Sequence, residues 1–152
     1  GLITRRLFKD MLNTPPYRLP NAGDEGSRLV DAVPGSFFML KPGLLTPQDI
    51  EGLFDSRIFL YYEEKVLGRK FQEMGLKTVL VTDESYVHAH SATIDKSLKR
   101  MVDKQRLLHQ SKLYYYREYL HAGPALMAAA GVALDIILAE VWFLTVVCRM
   151  RW

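Results

Sequence analysis

The residues FLYYEEKVLGRKFQEMGLKTVLVT (59–82) carry the signals of a helix, a glycine stop and a strand, in that order. Leu67, Phe71 and Met74 follow the acidic pair at 63–64 with the period of an amphipathic helix. Gly75 stands where a helix C-cap glycine is expected. The β-branched run after it has no breaker and predicts a strand.

Two shorter elements are predicted upstream of this helix. Thr46 matches an N-cap, a proline follows it, and Asp49 supplies a first-turn acid, so a short helix ending at Gly52 is expected. Before it, VDAVPGSFFMLK (30–41) places a glycine turn ahead of the large apolar run Phe37–Leu40. That run predicts a buried strand in the core.

Downstream, residues 83–84 predict a turn and SYVHAHS (85–91) a second extended piece. Helix, strand, turn and strand together favour the α/β class. Residues 1–30 are rich in proline and glycine and are interpreted as a connecting segment. We expect an α/β region at 31–95 and a helical region at 96–152. An exposed half-sheet can pair with another copy of the chain, which allows a homo-oligomer.

The segment SLKRMVDKQRLLHQSKLYYYREYL (97–120) predicts a long surface helix of about six turns. Its lysines and tyrosines also suit a binder of single-stranded nucleic acid. They are spread around the helix rather than gathered on one face, which favours a solvated helix with tyrosines packed inward. We therefore expect no nucleic-acid partner.

The segment GPALMAAAGVALDIILAEVWFLTVVCRMRW (123–152) is the most apolar part of the chain. Leu126–Val147 is long enough to cross a bilayer, whose core needs about 20 residues. Asp135 and Glu140 fall inside it, and each costs about 2.5–3.5 kcal/mol near the bilayer centre. A helix packed on its own domain or lying in the membrane interface, anchored by tryptophan and arginine, is favoured over a transmembrane helix.

The composition sets wide bounds on function. The 152 residues have a formal net charge of +3 and a pI near 9.0, which permits anionic partners without singling out nucleic acid. Cys148 is the single cysteine, so no internal disulfide can form and a cytoplasmic location is the default. The chain begins at Gly1 without a signal-peptide pattern, and we expect it to be a piece of a longer protein.

Glu63 and Glu64 are the first candidates for chemistry. Two adjacent acids in a first turn are favoured by the helix dipole and need no other role. Alternatively, one of them is a general base whose pKa is raised by burial among aromatic side chains. Phe54, Phe59, Tyr61 and Tyr62 are the aromatic residues expected to wall such a pocket.

His88 and His90 are the second candidates. In an extended segment they face the same side, a geometry that suits a metal ion or a diphosphate, although two exposed histidines on an edge strand are also a common incidental feature. Gly35 is the third, because a glycine at a strand entry makes a turn or lets a ligand approach the backbone.

Taken in order, VDAVPGSFFMLK, GLFDSRIFLYYEEKVLGRKFQEMG, VHAHSAT and SKLYYYREYL resemble the C-terminal half of bacterial family 2 glycosyltransferases, particularly rhamnosyltransferase-like enzymes. The likeness runs over about residues 29–120. It implies a partial GT-A-like mixed sheet with flanking helices. It also implies inverting transfer from a nucleotide sugar to a saccharide or lipid-linked acceptor in polysaccharide biosynthesis.

The resemblance also assigns residues. The catalytic base is expected at Glu64, with Glu63 next, and the Mg²⁺ or Mn²⁺ diphosphate at His88 rather than His90. The acceptor side is expected at Gly35, Ser36, Tyr61 and Tyr62, the last two from their place before the acidic pair. Such an enzyme is expected in the cytoplasm, peripheral at the inner face of the membrane.

The sequence departs from the family pattern in three places. Relatives commonly have Glu-Asp where this chain has two glutamates, and often an aspartate where it has Val66. No Asp-x-Asp motif occurs, and the nucleotide-binding half is absent, so we expect the chain to be inactive alone. The alternative is a non-catalytic module that docks on a membrane or a partner, in which the two glutamates only stabilise a helix end.

Overall fold

The computed structural model describes residues 26–33, 35–58, 60–87 and 100–149. These residues fall into two compact units. The first unit holds the described residues up to 87, and the second holds the described residues from 100 onwards.

The first unit combines a small antiparallel sheet with short helices. Strand β1 (Ser27–Val30) pairs with strand β2 (Thr78–Val81), and Ser27 lies opposite Val81. Between the strands lie a 3₁₀ turn (Pro42–Leu44), helix α1 (Pro47–Glu51) and helix α2 (Glu63–Glu73). This mixture of helix and sheet is compatible with the predicted α/β class.

The short helix α1 begins as its sequence predicts. The Thr46 hydroxyl accepts a hydrogen bond from the Asp49 amide at 3.2 Å, and the Asp49 carboxylate accepts one from the Thr46 amide at 2.8 Å. This reciprocal pair is a capping box, with aspartate in the place of the usual glutamate. Hydrogen bonds from the Thr46 backbone and side chain lower the pKa of Asp49. The helix ends at Gly52, and the prediction is confirmed.

Helix α2 ends in a Schellman motif. Gly75 has a φ of +71°, a left-handed conformation that glycine adopts without a steric penalty. Its amide donates to the Gln72 carbonyl at 3.0 Å, and the Leu76 amide donates to the Phe71 carbonyl at 2.8 Å. The predicted helix and its glycine stop are confirmed, and so is the strand that follows.

Gly68 lets the segment after β1 lie close against α2. A β-carbon at Gly68 would lie 2.1 Å from the Asp31 carbonyl oxygen, a distance that no side chain tolerates. Gly68 is buried together with Val66 and Leu67. The side-chain amide of Gln72 donates a hydrogen bond to the Asp31 carboxylate at 3.0 Å. Residue 68 therefore fixes how closely α2 and the segment after β1 approach.

Hydrogen bonds from α2 hold the loop between α1 and α2 in place. Leu53 is 1% exposed, and Ile58 and Tyr62 are also buried. The Lys70 ammonium donates to the Gly52 carbonyl at 2.6 Å and to the Leu53 carbonyl at 3.2 Å. These bonds satisfy carbonyl groups that the end of α1 leaves without helical partners.

The predicted core strand at Phe37–Leu40 is wrong. These residues form no regular strand, and the side chains of Phe37 and Met39 are 59% and 84% exposed. The reason is that β2 pairs with β1 and not with this run. Because strand pairing is a contact between distant residues, an apolar run alone does not reveal it.

Two other predicted segments are only partly covered by the described residues. The connecting segment was expected to extend to residue 30, but Ser27–Val30 is a strand; residues 1–25 lie outside the described residues. In the second extended piece, residues 85–87 are exposed and belong to no strand, whereas 88–91 lie outside the described residues.

The second unit is a helical hairpin. Helix α3 (Met101–Glu118) and helix α4 (Pro124–Trp142) pack together, and α4 continues into a π-helical segment (Phe143–Val147). The hairpin core is formed by aliphatic side chains, namely Ala133, Leu134, Ile137 and Val141 of α4 with Val102 and Leu113 of α3. Tyr115 and Tyr116 are buried, as expected for a solvated helix with inward tyrosines.

Candidate functional site

The first unit contains a cleft of about 940 Å³. Residues of α2, β2 and the segment between β1 and α1 line it. Most of the lining side chains are apolar, including Phe37, Leu40, Leu67, Phe71, Leu76 and Val79. The charged lining residues include Lys41, Glu64, Lys77 and Glu84. The cleft therefore presents a few ionisable groups among apolar walls, which is the usual character of a small-molecule site.

Glu64 is the predicted catalytic residue that the structure places in this cleft. It lies in the first turn of α2, two residues before the buried part of that helix begins at Val66. A β-carbon at Gly35 would lie 3.9 Å from the Glu64 carboxylate oxygen Oε2. Two residues predicted from different motifs, Gly35 and Glu64, are thus brought together, although Gly35 and Ser36 do not themselves line the cleft.

Glu63 is half-buried and does not belong to the cleft lining. Burial raises the pKa of the Glu63 carboxyl, and the neighbouring Glu64 charge raises it further, against a hydrogen bond from its own backbone amide. Burial also shifts the pKa of Lys65, in this case downward, and the negative charge of Glu64 opposes that shift. The adjacent acids therefore have different surroundings: Glu63 is partly withdrawn from water, and Glu64 faces the cleft.

The two tyrosines before α2 hold an unusual backbone conformation. Tyr61 and Tyr62 have φ values of 66° and 72°, in the left-handed region, at a cost of roughly 1–2 kcal/mol each for non-glycine residues. The Lys65 ammonium lies 5.2 Å from the centre of the Tyr62 ring. Neither tyrosine lines the cleft, and Phe54 is 62% exposed, so the expected aromatic wall is not at this cleft. Phe59 lies outside the described residues.

Ser36 reaches a residue that sequence reasoning missed. Its hydroxyl is hydrogen-bonded to the Tyr86 hydroxyl. The Tyr86 ring also contacts Phe37, with ring centres 5.6 Å apart, and both residues line the cleft. The sequence could have indicated Tyr86 as a site residue, because it precedes His88 by two positions and such positions share a face in an extended chain.

The predicted metal ligands His88 and His90 lie outside the described residues, so their assignment stays a prediction. In the described ranges, no group of three histidine, cysteine, aspartate or glutamate side chains is placed to hold a metal ion. Glu64 and Glu84 both line the cleft, but they do not make a metal centre by themselves.

The second unit contains a buried histidine. His109 is 6% exposed, and its Nε2 lies 2.7 Å from the Gln105 side-chain nitrogen. Burial lowers the pKa of His109 to about 4, the nearby Lys112 charge lowers it further, and Asp135 opposes both. The imidazole is neutral at pH 7. It is a hydrogen-bonded core residue of the helical unit.

Comparison with protein-family models, with curated proteins and with solved structures gives no match for this chain.

Proposed function

We propose that the chain is the acceptor-side portion of an inverting glycosyltransferase that builds bacterial surface polysaccharide. The donor would be a nucleotide sugar, and the acceptor a saccharide or a lipid-linked saccharide. The observation that carries the proposal is that the Glu64 carboxylate lines a cleft beside the backbone of Gly35. The order of four sequence motifs that resemble a GT-A-like enzyme supports it.

Glu64 is the proposed general base. A carboxylate in hydrogen-bond reach of an acceptor hydroxyl takes its proton as the oxygen attacks the anomeric carbon. A new carbon–oxygen bond forms, the bond to the nucleotide diphosphate breaks, and the configuration inverts. The negative charge departs with the diphosphate. Apolar walls around Glu64 would limit competing attack by water.

Gly35 is the proposed point of close approach for the acceptor. With no side chain at this position, the space next to the Glu64 carboxylate stays open. The Ser36 and Tyr86 hydroxyls, which are hydrogen-bonded to one another, offer polar contacts nearby. Lys41 and Lys77 line the same cleft and would favour an anionic group.

The resemblance places the donor nucleotide in a half that these 152 residues do not include. It also assigns Mg²⁺ or Mn²⁺ to His88, with His90 as the second choice. The chain alone should therefore bind an acceptor without binding a nucleotide sugar tightly. Tyr61 and Tyr62 remain proposed acceptor contacts, although they do not line the described cleft.

Titration of the chain followed by NMR tests this division of roles. Bacterial surface oligosaccharides should shift the amide signals of Gly35 and of the first turn of α2. UDP- and dTDP-sugars should leave them in place. Micromolar binding of a nucleotide sugar to the isolated chain would contradict the assignment of the donor site to another segment.

A further inference from the structure

Helix α4 is apolar on two opposite faces. One face carries the buried residues Ala133, Leu134, Ile137 and Val141, which pack in the hairpin core. The opposite face carries Val132, Ile136, Ala139, Phe143 and Val146, all of them exposed, and we call these five residues the outer stripe. A helical period of 3.6 residues aligns the three that lie in α4, and Phe143 and Val146 follow in the π-helical segment. No described residue buries this stripe.

The ionisable residues of α4 lie beside the outer stripe and not in it. At about 100° per residue, Asp135 falls about 60° to one side of Val132 and Glu140 about 80° to the other. Asp135 is exposed and Glu140 is half-buried. Both carboxylates therefore stand at the margins, so the stripe can meet an apolar phase without burying a charge.

The end of the helix is apolar around much of its circumference. No residue of Phe143–Val147 is buried. Trp142, Phe143, Val146 and Val147 are each at least half exposed. Arg149, which is exposed, lies two residues beyond Val147. Trp142 and Arg149, seven residues apart at the end of an apolar helix, suit the boundary between acyl chains and phosphate groups.

A bilayer surface fits these features better than the two alternatives. The helix Pro124–Val147 has 24 residues, and its most apolar 18-residue window has a mean hydropathy of 2.0, but only 28% of that window is buried, so it is not a typical core helix. A transmembrane placement would carry Asp135 and Glu140 into the hydrocarbon, whereas an in-plane placement leaves both at the headgroup level. Arg149, at the end of the helix, complements the phosphate groups of anionic lipids.

We propose that the outer stripe of α4, with Trp142 and Arg149 at its end, docks in the plane of an anionic lipid bilayer. The stripe enters the acyl boundary, and α3 stays on the aqueous side. This membrane contact does not depend on the proposed glycosyltransfer, because it involves no residue of the cleft.

Flotation of the full chain with vesicles tests the docking. The chain should float with phosphatidylcholine vesicles containing phosphatidylglycerol and bind pure phosphatidylcholine more weakly. Ile136→Glu and Phe143→Glu should each lower the bound fraction at least about tenfold, since each removes one apolar side chain from the membrane. Leu120→Glu is the matched control, because Leu120 is 40% exposed and lies outside the stripe. It should float as the wild type does.

Three results would overturn the proposal. The first is absence of flotation, or flotation that Ile136→Glu and Phe143→Glu leave unchanged while circular dichroism shows both variants folded. The second is lipid-free self-association in sedimentation velocity that the same variants abolish, which would assign the stripe to a second copy. The third is oriented circular dichroism showing α4 parallel to the bilayer normal, which would make the helix transmembrane.

Discussion

The backbone of Gly35 faces the carboxylate of Glu64: a β-carbon at residue 35 would lie 3.9 Å from Oε2. That is an ordinary van der Waals distance, so a methyl group fits there and a longer side chain extends towards the carboxylate. Residue 35 therefore borders the Glu64 carboxylate on that side.

Substitutions of Gly35 should change the access of the acceptor to Glu64 without changing the stability of the fold. Gly35→Ala should keep transfer activity within about twofold, and Gly35→Leu should lower it roughly tenfold or more by blocking the acceptor. Activity is measured with a nucleotide-binding half present, and stability by urea unfolding. Since Gly35 is exposed, both variants should be nearly as stable as the wild type. Equal activity of the Leu and Ala variants would show that no acceptor passes residue 35.

Gly68→Ala should destabilise the first unit by about 2–3 kcal/mol, because the added methyl group meets the Asp31 carbonyl oxygen and the backbone must shift. Urea unfolding followed by circular dichroism measures the change. Gly43→Ala is the control in the same unit, because nothing lies within 4 Å of a β-carbon there. If Gly68→Ala were as stable as Gly43→Ala, the close approach of α2 to residue 31 would be incorrect.

The second unit should lose stability in mild acid. The folded-state pKa of His109 is about 4, against 6.5 in the unfolded chain, so the unfolded state binds more protons between these values. The free energy of unfolding should fall by on the order of 2 kcal/mol as the pH drops from 6.5 to 4, and the His109 contribution should level off below that.

His109→Gln isolates this contribution from the other titrating groups. Thermal unfolding of both proteins is followed at a series of pH values. The difference between wild type and variant should vary with pH between 6.5 and 4 and stay constant above that range. A difference that is independent of pH throughout would mean that His109 titrates normally in the folded state.

Local signals account for the elements that sequence reasoning placed correctly. The capping residues Thr46 and Asp49 specify the start of α1, and Gly75 specifies the end of α2, because each acts through atoms a few residues away. The pairing of Ser27–Val30 with Thr78–Val81 was missed, since it joins distant segments and shows no alternation of buried and exposed residues. The expected burial of Phe37–Leu40 failed for the same reason.

The candidate site divides in the same way. The position of Glu64 in a first helical turn follows from its neighbours in sequence. Its place in a cleft with Tyr86, and its position next to Gly35, depend on tertiary packing, which the motif order suggested only through the family resemblance. The burial of His109 had no visible sequence signal, because a histidine among lysines and glutamines on a long helix reads as a surface residue.

The most direct measurement compares Glu64→Gln with Glu73→Gln in a transfer assay, with the nucleotide-binding half present. Glu73 lies on the same helix, is exposed and pairs with Arg69 at 2.9 Å. An exposed ion pair of this kind contributes about half a kcal/mol to stability, so Glu73→Gln should change turnover less than twofold. Glu64→Gln should lower kcat by roughly 10²–10⁴-fold and leave nucleotide-sugar binding nearly intact, because it removes the base and keeps the shape of the side chain. Turnover by Glu64→Gln equal to that of Glu73→Gln would show that residue 64 is not the base.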